Sequence, residues 1–217
     1  MSSFNPYVRP GHLEVFSGPM KSGKSLALLH RVEKIKYMKC EVFQVFKPAL
    51  DTRDLSLRSR FGSLTHACTF IPEYSPEQLL SLVEAQASLV AIDEVHFFSE
   101  SIVGVVKELI SQEKNVVLAG LDTDFRGEPF GSMPTLLALA DEVHKLTGIC
   151  DYPACKSPAT RTQRLVNGSP ADYFSPIILV GDAAEGYQCR CFQHHEVPHA
   201  PTREWNVTPI IQKRLDS

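Results

Sequence analysis

Apolar and polar residues alternate along the chain in blocks that predict strands and helices in turn. Short apolar runs rich in β-branched and aromatic residues indicate buried strands, and apolar residues three or four positions apart indicate helices. The predicted strands are 12–17, 41–47, 88–93 and 115–120. Four helices are predicted: one that carries Leu26, Leu29, Val32, Ile35 and Lys36, one that begins near residue 75, one over 102–110 and one over 135–145. This order predicts an α/β fold with a parallel sheet flanked by helices, in which ligands bind at the carboxyl ends of the strands.

Two loop-rich stretches lie between these elements. In the first, residues 48–62 have few apolar side chains and predict a mobile loop that can bring Arg53 or Arg60 towards an anion; a solvated linker without a role is an equal alternative. In the second, Ser75 is predicted to cap the following helix, with Pro76 at its first position and Gln78 closing a capping box.

The composition changes after residue 146, where Pro, Gly, Arg and Cys dominate and apolar runs are short. We therefore expect an α/β domain over residues 11–146 and a separate small lobe over 147–198. Residues 199–217 show no clear period and are expected to form a tail.

The overall composition narrows the class of protein. With 217 residues, 43% of them hydrophobic, the chain can bury a sizeable core. It has no apolar run of about twenty residues and no signal-peptide pattern at its start, so we expect a cytoplasmic protein without a membrane partner. The net charge is −3 and Lys and Arg are scattered, which argues against nucleic acid as the partner and favours a small molecule.

A glycine-rich stretch after the first strand has the full spacing of a phosphate-binding P-loop. Its residues are Gly18, Pro19, Met20, Lys21, Ser22, Gly23, Lys24 and Ser25. The glycines allow backbone N–H groups to turn towards an anion, Lys24 can reach the β- and γ-phosphates, and the Ser25 hydroxyl can hold Mg²⁺. The order of strand, loop and helix adds the helix N-terminus to the site, and a nucleoside triphosphate is the expected ligand.

Two adjacent acids follow the third predicted strand. Asp93 ends the apolar run 90–92, as expected of a Walker B carboxylate that binds Mg²⁺ directly or through water. Glu94 comes next and projects differently, so it can act as a base towards the nucleophile. The alternative for Glu94 is an ordinary surface acid.

The loop after the fourth strand, residues 120–131, combines phenylalanines with glycines. Phe125 can stack on a nucleobase at the sheet edge, although an aromatic residue in a loop often only fills the core. Arg126 can balance phosphate charge or remain solvated.

Four of the six cysteines lie in the last third of the chain, which favours a metal site over disulfides. Cys150 and Cys155 form one pair, and Cys191 and His194 form the preferred second pair, because a gap of two residues suits a single zinc knuckle. Four protein ligands would make the zinc structural. Cys189 and His195 compete for the second pair, and free buried thiols are a further alternative.

Together these motifs resemble the thymidine kinase family of the cytosolic, zinc-containing type. The resemblance covers about residues 11–198 and rests on the P-loop together with 51–53, 93–98, 120–131, 161–164, 176–181 and Tyr187.

The resemblance implies transfer of the ATP γ-phosphoryl group to the 5′-hydroxyl of thymidine, in nucleotide salvage, with Glu94 as the proton acceptor. It assigns Asp51, Arg53, Asp93, Glu94, Val95 and His96, with the P-loop, to ATP binding. It assigns Phe125, Ile177, Ile178, Leu179, Val180, Gly181 and Tyr187 to thymidine, the last six on a loop whose ends zinc ties together. It also implies a homotetramer, or a dimer, and feedback inhibition by thymidine triphosphate.

The sequence departs from the family pattern at four places. Lys21 replaces an aromatic residue, His96 replaces glutamine, the gap between Cys150 and Cys155 is longer, and one residue is inserted before Tyr187. Other interpretations are another deoxynucleoside kinase, a P-loop ATPase, or a zinc-ribbon regulator that senses nucleotide.

Overall fold

The computed structural model describes most of the chain, in five segments. These are residues 7–38, 42–50, 56–58, 65–178 and 185–201. Two groups of predicted site residues, Asp51 with Arg53 and the run Leu179, Val180 and Gly181, lie outside them, as does most of the predicted tail.

A six-stranded parallel sheet forms the centre of the described structure. Its strands are β1 (Leu13–Ser17), β2 (Val42–Pro48), β5 (Thr69–Ile71), β6 (Ala87–Ile92), β7 (Asn115–Gly120) and β8 (Glu142–Lys145). They lie in the order β5-β2-β6-β7-β1-β8, and every neighbouring pair is parallel. Because the strands are parallel, the loops after β1 and β6 lie at the same edge of the sheet, as the α/β prediction requires. Only β7 separates the two strands.

Both faces of the sheet are covered, which explains why its central strands are apolar without alternation. On one face, α3 (Ile102–Ser111) and α4 (Met133–Leu139) pack on strand residues such as Val116 and Leu118. On the other, α1 (Lys24–Lys36) packs on residues such as Val117 and Ala119. The sequence therefore gives the correct fold class, and the predicted strand 115–120 has the observed bounds.

The buried face of α1 differs in part from its prediction. Leu29, Val32 and Ile35 are fully buried as expected, but Leu26 is 38% exposed and Leu28 takes its place in the core.

The helix predicted over 135–145 is wrong in its second half. Helix α4 spans Met133–Leu139, and the chain then forms β8, which pairs with β1 from Glu14 to Ser17. Asp141 begins this pairing, because its N–H donates to the Leu13 carbonyl and its carboxylate accepts from the Leu13 N–H at 2.9 Å. Pairing with a distant strand thus overrides the helical pattern.

Two further predictions need correction. Helix α2 spans only Gln78–Leu82, and Ser75 forms no side-chain cap; its carbonyl instead accepts from the Gln78 N–H in a preceding turn. The segment predicted as a mobile loop contains strand β3 (Ser56–Arg58), which forms an antiparallel hairpin with β4 (Thr65–Ala67).

The chain after β8 forms small antiparallel sheets. Strand β9 (Gly148–Ile149) pairs with β10 (Pro158–Ala159), and β11 (Arg161–Val166) lies between β12 (Ser169–Pro170) and β13 (Glu185–Arg190). A 3₁₀ helix, Phe192–His194, follows β13. The division at residue 147 into two domains stays a prediction. Across the described segments, no helix has both the length and the apolar character needed to span a membrane.

Candidate functional site

The glycine loop joins β1 to α1 in a conformation that depends on its two glycines. Gly18 has φ +143°, and a Cβ there would lie 2.3 Å from the Leu146 carbonyl oxygen at the end of β8. Gly23, at the N-terminus of α1, has φ +85°. Both angles favour glycine, as the P-loop prediction requires. Lys21 also has a positive φ, 61°.

Lys24 is buried beneath this loop. Its Nζ donates a hydrogen bond to the Pro19 carbonyl oxygen at 2.7 Å, and only 8% of the residue is exposed. Burial lowers the pKa of Lys24, opposed by the nearby acids Glu94, Asp93 and Asp122. The Lys24 side chain is therefore held inside the loop, close to three acids.

Asp93 and Ser25 meet across the sheet edge as the motifs predict. The Ser25 hydroxyl lies 3.0 and 3.2 Å from the two carboxylate oxygens of Asp93, which is 2% exposed. Burial, followed by the charge of Glu94, raises the pKa of Asp93 to about 7, while Lys47 and the Ser25 hydroxyl act in the opposite direction. A hydroxyl and a carboxylate side by side are oxygen ligands suited to Mg²⁺.

Glu94 lies next to Asp93 but has a more exposed side chain, at 23%. Its φ of 52° turns the chain from β6 into the 3₁₀ helix Val95–Phe97. The two acids thus project from a strand end and a tight turn, and Glu94 is open to solvent while Asp93 is not.

Val95 and His96, which follow Glu94, are both buried. The Leu121 N–H donates to His96 Nδ1 at 3.1 Å, so this nitrogen carries no proton, and its 3.7 Å approach to Glu94 is not an ion pair. The imidazole contacts the rings of Phe97 and Phe130. Val95 belongs to the core. Their predicted contacts with ATP stay predictions.

Phe125 is buried at 3% exposure and is flanked by two guanidinium groups. Arg164 lies 4.9 Å and Arg126 lies 5.5 Å from the centre of its ring. The loop that carries Phe125 is fixed by Asp124, whose carboxylate accepts from the N–H groups of Arg126 and Glu128 at 2.8 and 3.1 Å.

Arg164 belongs to the segment 161–164 on which the family resemblance rests, but no role was predicted for it. It is 2% exposed, stacks over Phe125, and donates to the Pro176 carbonyl immediately before Ile177. In the antiparallel pairing of β11 with β13 it lies opposite Tyr187. Arg164 therefore connects Phe125 with two other parts of the predicted thymidine site. Arginine is usually exposed, and β11 is short, so the sequence did not indicate that this side chain is buried.

The predicted metal ligands come together in the structure. The side-chain ligand atoms of Cys150, Cys155, Cys191 and His194 all lie within 4.8 Å of one another. His194 Nδ1 is 3.2 Å from the Cys191 sulfur and 3.8 Å from that of Cys150. Hydrogen bonds from Ser157 lower the pKa of Cys155 to about 6, which favours its thiolate. Three sulfurs and one imidazole fit a structural zinc ion.

The two competing residues bond elsewhere. The Cys189 thiol donates to the Met20 carbonyl at 2.7 Å, and burial raises its pKa to about 11. His195 Nε2 donates to the Phe125 carbonyl at 2.9 Å.

A second group of metal-ligating side chains lies towards the other end of β1. Glu14, Glu142 and His144 are close together. Arginines already pair with both acids, since Arg31 lies 2.8 Å from Glu14 and Arg9 lies 2.6 Å from Glu142. This group is therefore an ion-pair network within the sheet.

A cavity of about 510 Å³ opens beside the glycine loop. Its lining residues are Lys21, Thr147, Gly148, Ile149, Asp151, Lys156 and Pro158. Apart from Lys21, its lining residues belong to the segment that follows β8, and β8 pairs with β1 on the side opposite β7.

Fold and site together define an α/β protein in which a glycine loop and an acidic strand end share one edge of a parallel sheet. More particularly, the chain belongs to the thymidine kinase family: the model of that family, described as "Thymidine kinase", matches residues 11–195. The chain is also 50% identical over 190 residues to a protein named "Thymidine kinase" from Coprothermobacter proteolyticus (strain ATCC 35245 / DSM 5265 / OCM 4 / BT), covering 87% of this chain and 92% of that relative. The resemblance stated from the motifs is thus confirmed, and the chain is a kinase.

One solved structure shows a weaker likeness. It is the crystal structure of flagellar accessory protein FlaH from Methanocaldococcus jannaschii, with a TM-score of 0.42 and 12% identity, over 67% of this chain and 74% of that one. A likeness of this size carries no conclusion about the site.

Proposed function

We propose that this chain transfers the γ-phosphoryl group of ATP to the 5′-hydroxyl of thymidine, giving dTMP for DNA precursor synthesis. Membership of the thymidine kinase family supports the reaction. The observation that carries the site assignment is the 3.0 Å contact between Ser25 and Asp93, which joins the phosphate loop to the acidic strand end.

In this proposal the glycine loop and the two acids have different roles in the transfer. Lys24 leaves the Pro19 carbonyl and pairs with the β- and γ-phosphates, where charge builds up in the transition state. Ser25 and Asp93 would hold Mg²⁺, which when bound offsets the phosphate charge. Glu94, at 23% exposure and next to Asp93, orients the acceptor hydroxyl and takes its proton. Most of the rate enhancement then comes from position and charge rather than covalent chemistry.

The nucleoside of ATP has space on the far side of the loop. The 510 Å³ cavity shares Lys21 with the loop, and its other lining residues follow β8, the strand that pairs with β1 on the side opposite β7. A triphosphate whose γ-phosphate faces Asp93 and Glu94 therefore extends its ribose and base towards this cavity. Thymidine then occupies the opposite side, near Phe125.

The thymidine site is proposed to include Phe125, Tyr187 and the loop that begins at Ile177. Ile177 and Ile178 are each 40% exposed and come just after Pro176, whose carbonyl accepts a hydrogen bond from Arg164. Zinc on the four-ligand cluster would tie the ends of this loop together. We further propose two domains divided near residue 147, a homotetramer or dimer, and a cytoplasmic location.

A screen of nucleosides as phosphate acceptors, with ATP and Mg²⁺, tests the function. We expect phosphate transfer to thymidine, with little ATP hydrolysis in the absence of nucleoside. A Lys24→Met variant should lose transfer to every acceptor, and Lys34→Met, on an exposed turn of α1, is a matched control that should retain it. Preferential transfer to another deoxynucleoside, or ATP hydrolysis without an acceptor, would contradict the proposal.

A further inference from the structure

The glycine loop is held from outside by the cysteine-rich segment, at both backbone atoms of Met20. The Met20 N–H donates to the Thr162 hydroxyl at 3.0 Å, and the Met20 carbonyl accepts from the Cys189 thiol at 2.7 Å. Thr162 is 2% and Cys189 is 1% exposed. These contacts therefore fix the orientation of the Met20 peptide groups without competition from water.

Asp151 adds a third connection to the same loop. Its carboxylate accepts from the Cys189 N–H at 2.8 Å and from Lys21 Nζ at 3.1 Å. Its own N–H donates to the Cys189 carbonyl at 2.8 Å. Asp151 and Cys189 thus form one hydrogen-bonded pair that contacts two successive loop residues, Met20 and Lys21.

Each member of this pair is close in sequence to a ligand of the four-residue cluster. Asp151 directly follows Cys150, and Cys189 comes two residues before Cys191. Ligand atoms within 4.8 Å of one another can be joined by a single ion, which would fix both backbone segments at once. On each of these two chain segments, a residue that contacts the phosphate loop is therefore only one or two positions from a cluster ligand.

We propose that Cys189 and Asp151 are positioning residues for the phosphate loop, through which a metal ion on the cluster raises the affinity for the triphosphate. The inference rests on the proposed ATP site but not on the identity of the acceptor. A loop that must point several N–H groups at one anion binds more weakly when its backbone is free, because ligand binding must then order it. The metal would thereby serve the ATP side of the site as well as the nucleoside side.

The test measures ATP affinity directly, by calorimetry, on full-length zinc-loaded protein without thymidine. Cys189→Ala should raise the dissociation constant for ATP roughly 5- to 30-fold, while zinc content stays at one per chain and the KM for thymidine changes far less. Cys189→Ser, which keeps a donor, should recover most of the affinity. Asp151→Asn provides a second variant, and Cys68→Ala is a matched truncation of a cysteine far from the loop that should leave ATP binding unchanged.

Removal of zinc with a chelator completes the test. We expect it to weaken ATP binding in the original protein by at least as much as Cys189→Ala does, and to have a smaller additional effect in a Cys189→Ala, Asp151→Asn double variant. The inference is overturned if the variants bind ATP as tightly as the original, or if zinc removal weakens ATP binding equally in all of them. Failure to phosphorylate thymidine would instead count against the proposed reaction and leave this result intact.

Discussion

A single methyl group at position 148 should show how tightly the cysteine-rich segment is packed against the glycine loop. Gly148 begins β9, and a Cβ added there would lie 2.4 Å from the Cys189 sulfur. Cys189 is 1% exposed and its thiol donates to the Met20 carbonyl, so moving the sulfur away from a new Cβ would break this buried hydrogen bond. Gly148→Ala should therefore strain the structure.

The size of the effect follows from the contact distances. Overpacking of this kind costs about 1–3 kcal/mol of unfolding free energy, which for a chain of this length lowers Tm by roughly 2–12 °C. Cys189→Ala alone leaves the Met20 carbonyl without its donor, at a cost of about 1–3 kcal/mol. In the double variant the sulfur is gone, and the new methyl meets the remaining Cβ of residue 189 at 3.4 Å and the Lys21 carbonyl oxygen at 3.8 Å, both ordinary contacts. The second substitution should therefore relieve most of the strain from the first.

The assay is a double-mutant cycle by urea unfolding, with zinc content matched among the proteins. We expect a favourable coupling energy of about 1–3 kcal/mol between the two substitutions. Gly104→Ala is a matched control, since its new Cβ would meet nothing within 4 Å and it lies within α3, so it should stabilise the protein by about 0.5–1 kcal/mol. Additive destabilisation, or a Gly148→Ala variant as stable as the original, would refute the packing argument.

Three further predictions address the chemistry, the metal and the sheet. Glu94→Gln should lower turnover by about two to four orders of magnitude with ATP affinity nearly unchanged, as measured by steady-state kinetics and calorimetry; unchanged turnover would remove Glu94 from the role of base. Cys191→Ser should lose the single equivalent of zinc in elemental analysis, whereas Cys189→Ser should retain it, and the reverse pattern would overturn the ligand assignment. Arg31→Met should cost about 3–5 kcal/mol in urea unfolding, because it leaves the buried Glu14 carboxylate without its 2.8 Å partner; a loss below 1 kcal/mol would show that other partners suffice.

The sequence predicted the central fold well where strands are buried on both faces. Residues 115–120 read as a strand because they are apolar without interruption, and that pattern is caused by helices on both sides of the sheet. The prediction failed at 142–145, where side chains alternate between half-buried and exposed at the sheet edge. The helical spacing of 135–139 extends into this stretch, and only its pairing with β1, far away in sequence, ends the helix.

In the candidate site, motif spacing predicted which residues come together wherever their positions depend on local sequence. The glycine loop and the acids after β6 follow from local sequence, and the structure joins Ser25 to Asp93. The choice between Cys189 and Cys191 could be argued only from typical knuckle spacing, because both are close to His194 in sequence. The direction of each thiol depends on the pairing of β13 with β11 and on the position of Met20, neither of which is local.

The burial of Arg164 likewise depends on contacts between residues that are distant in sequence. A basic residue in a six-residue strand is expected at the surface, yet it is 2% exposed. Its burial depends on the Phe125 ring and the Pro176 carbonyl, which come from separate loops. Only the assembled structure brings these partners together.

The backbone conformation at Glu94 also limits which substitutions this position can accept. A φ of 52° is costly for most side chains and most of all for β-branched ones, while Gly, Asn and Asp adopt it readily. In a library randomised at this codon, Val, Ile and Thr should thus be depleted even among clones selected only for soluble expression. The backbone therefore limits which side chains position 94 accepts, before any selection for activity.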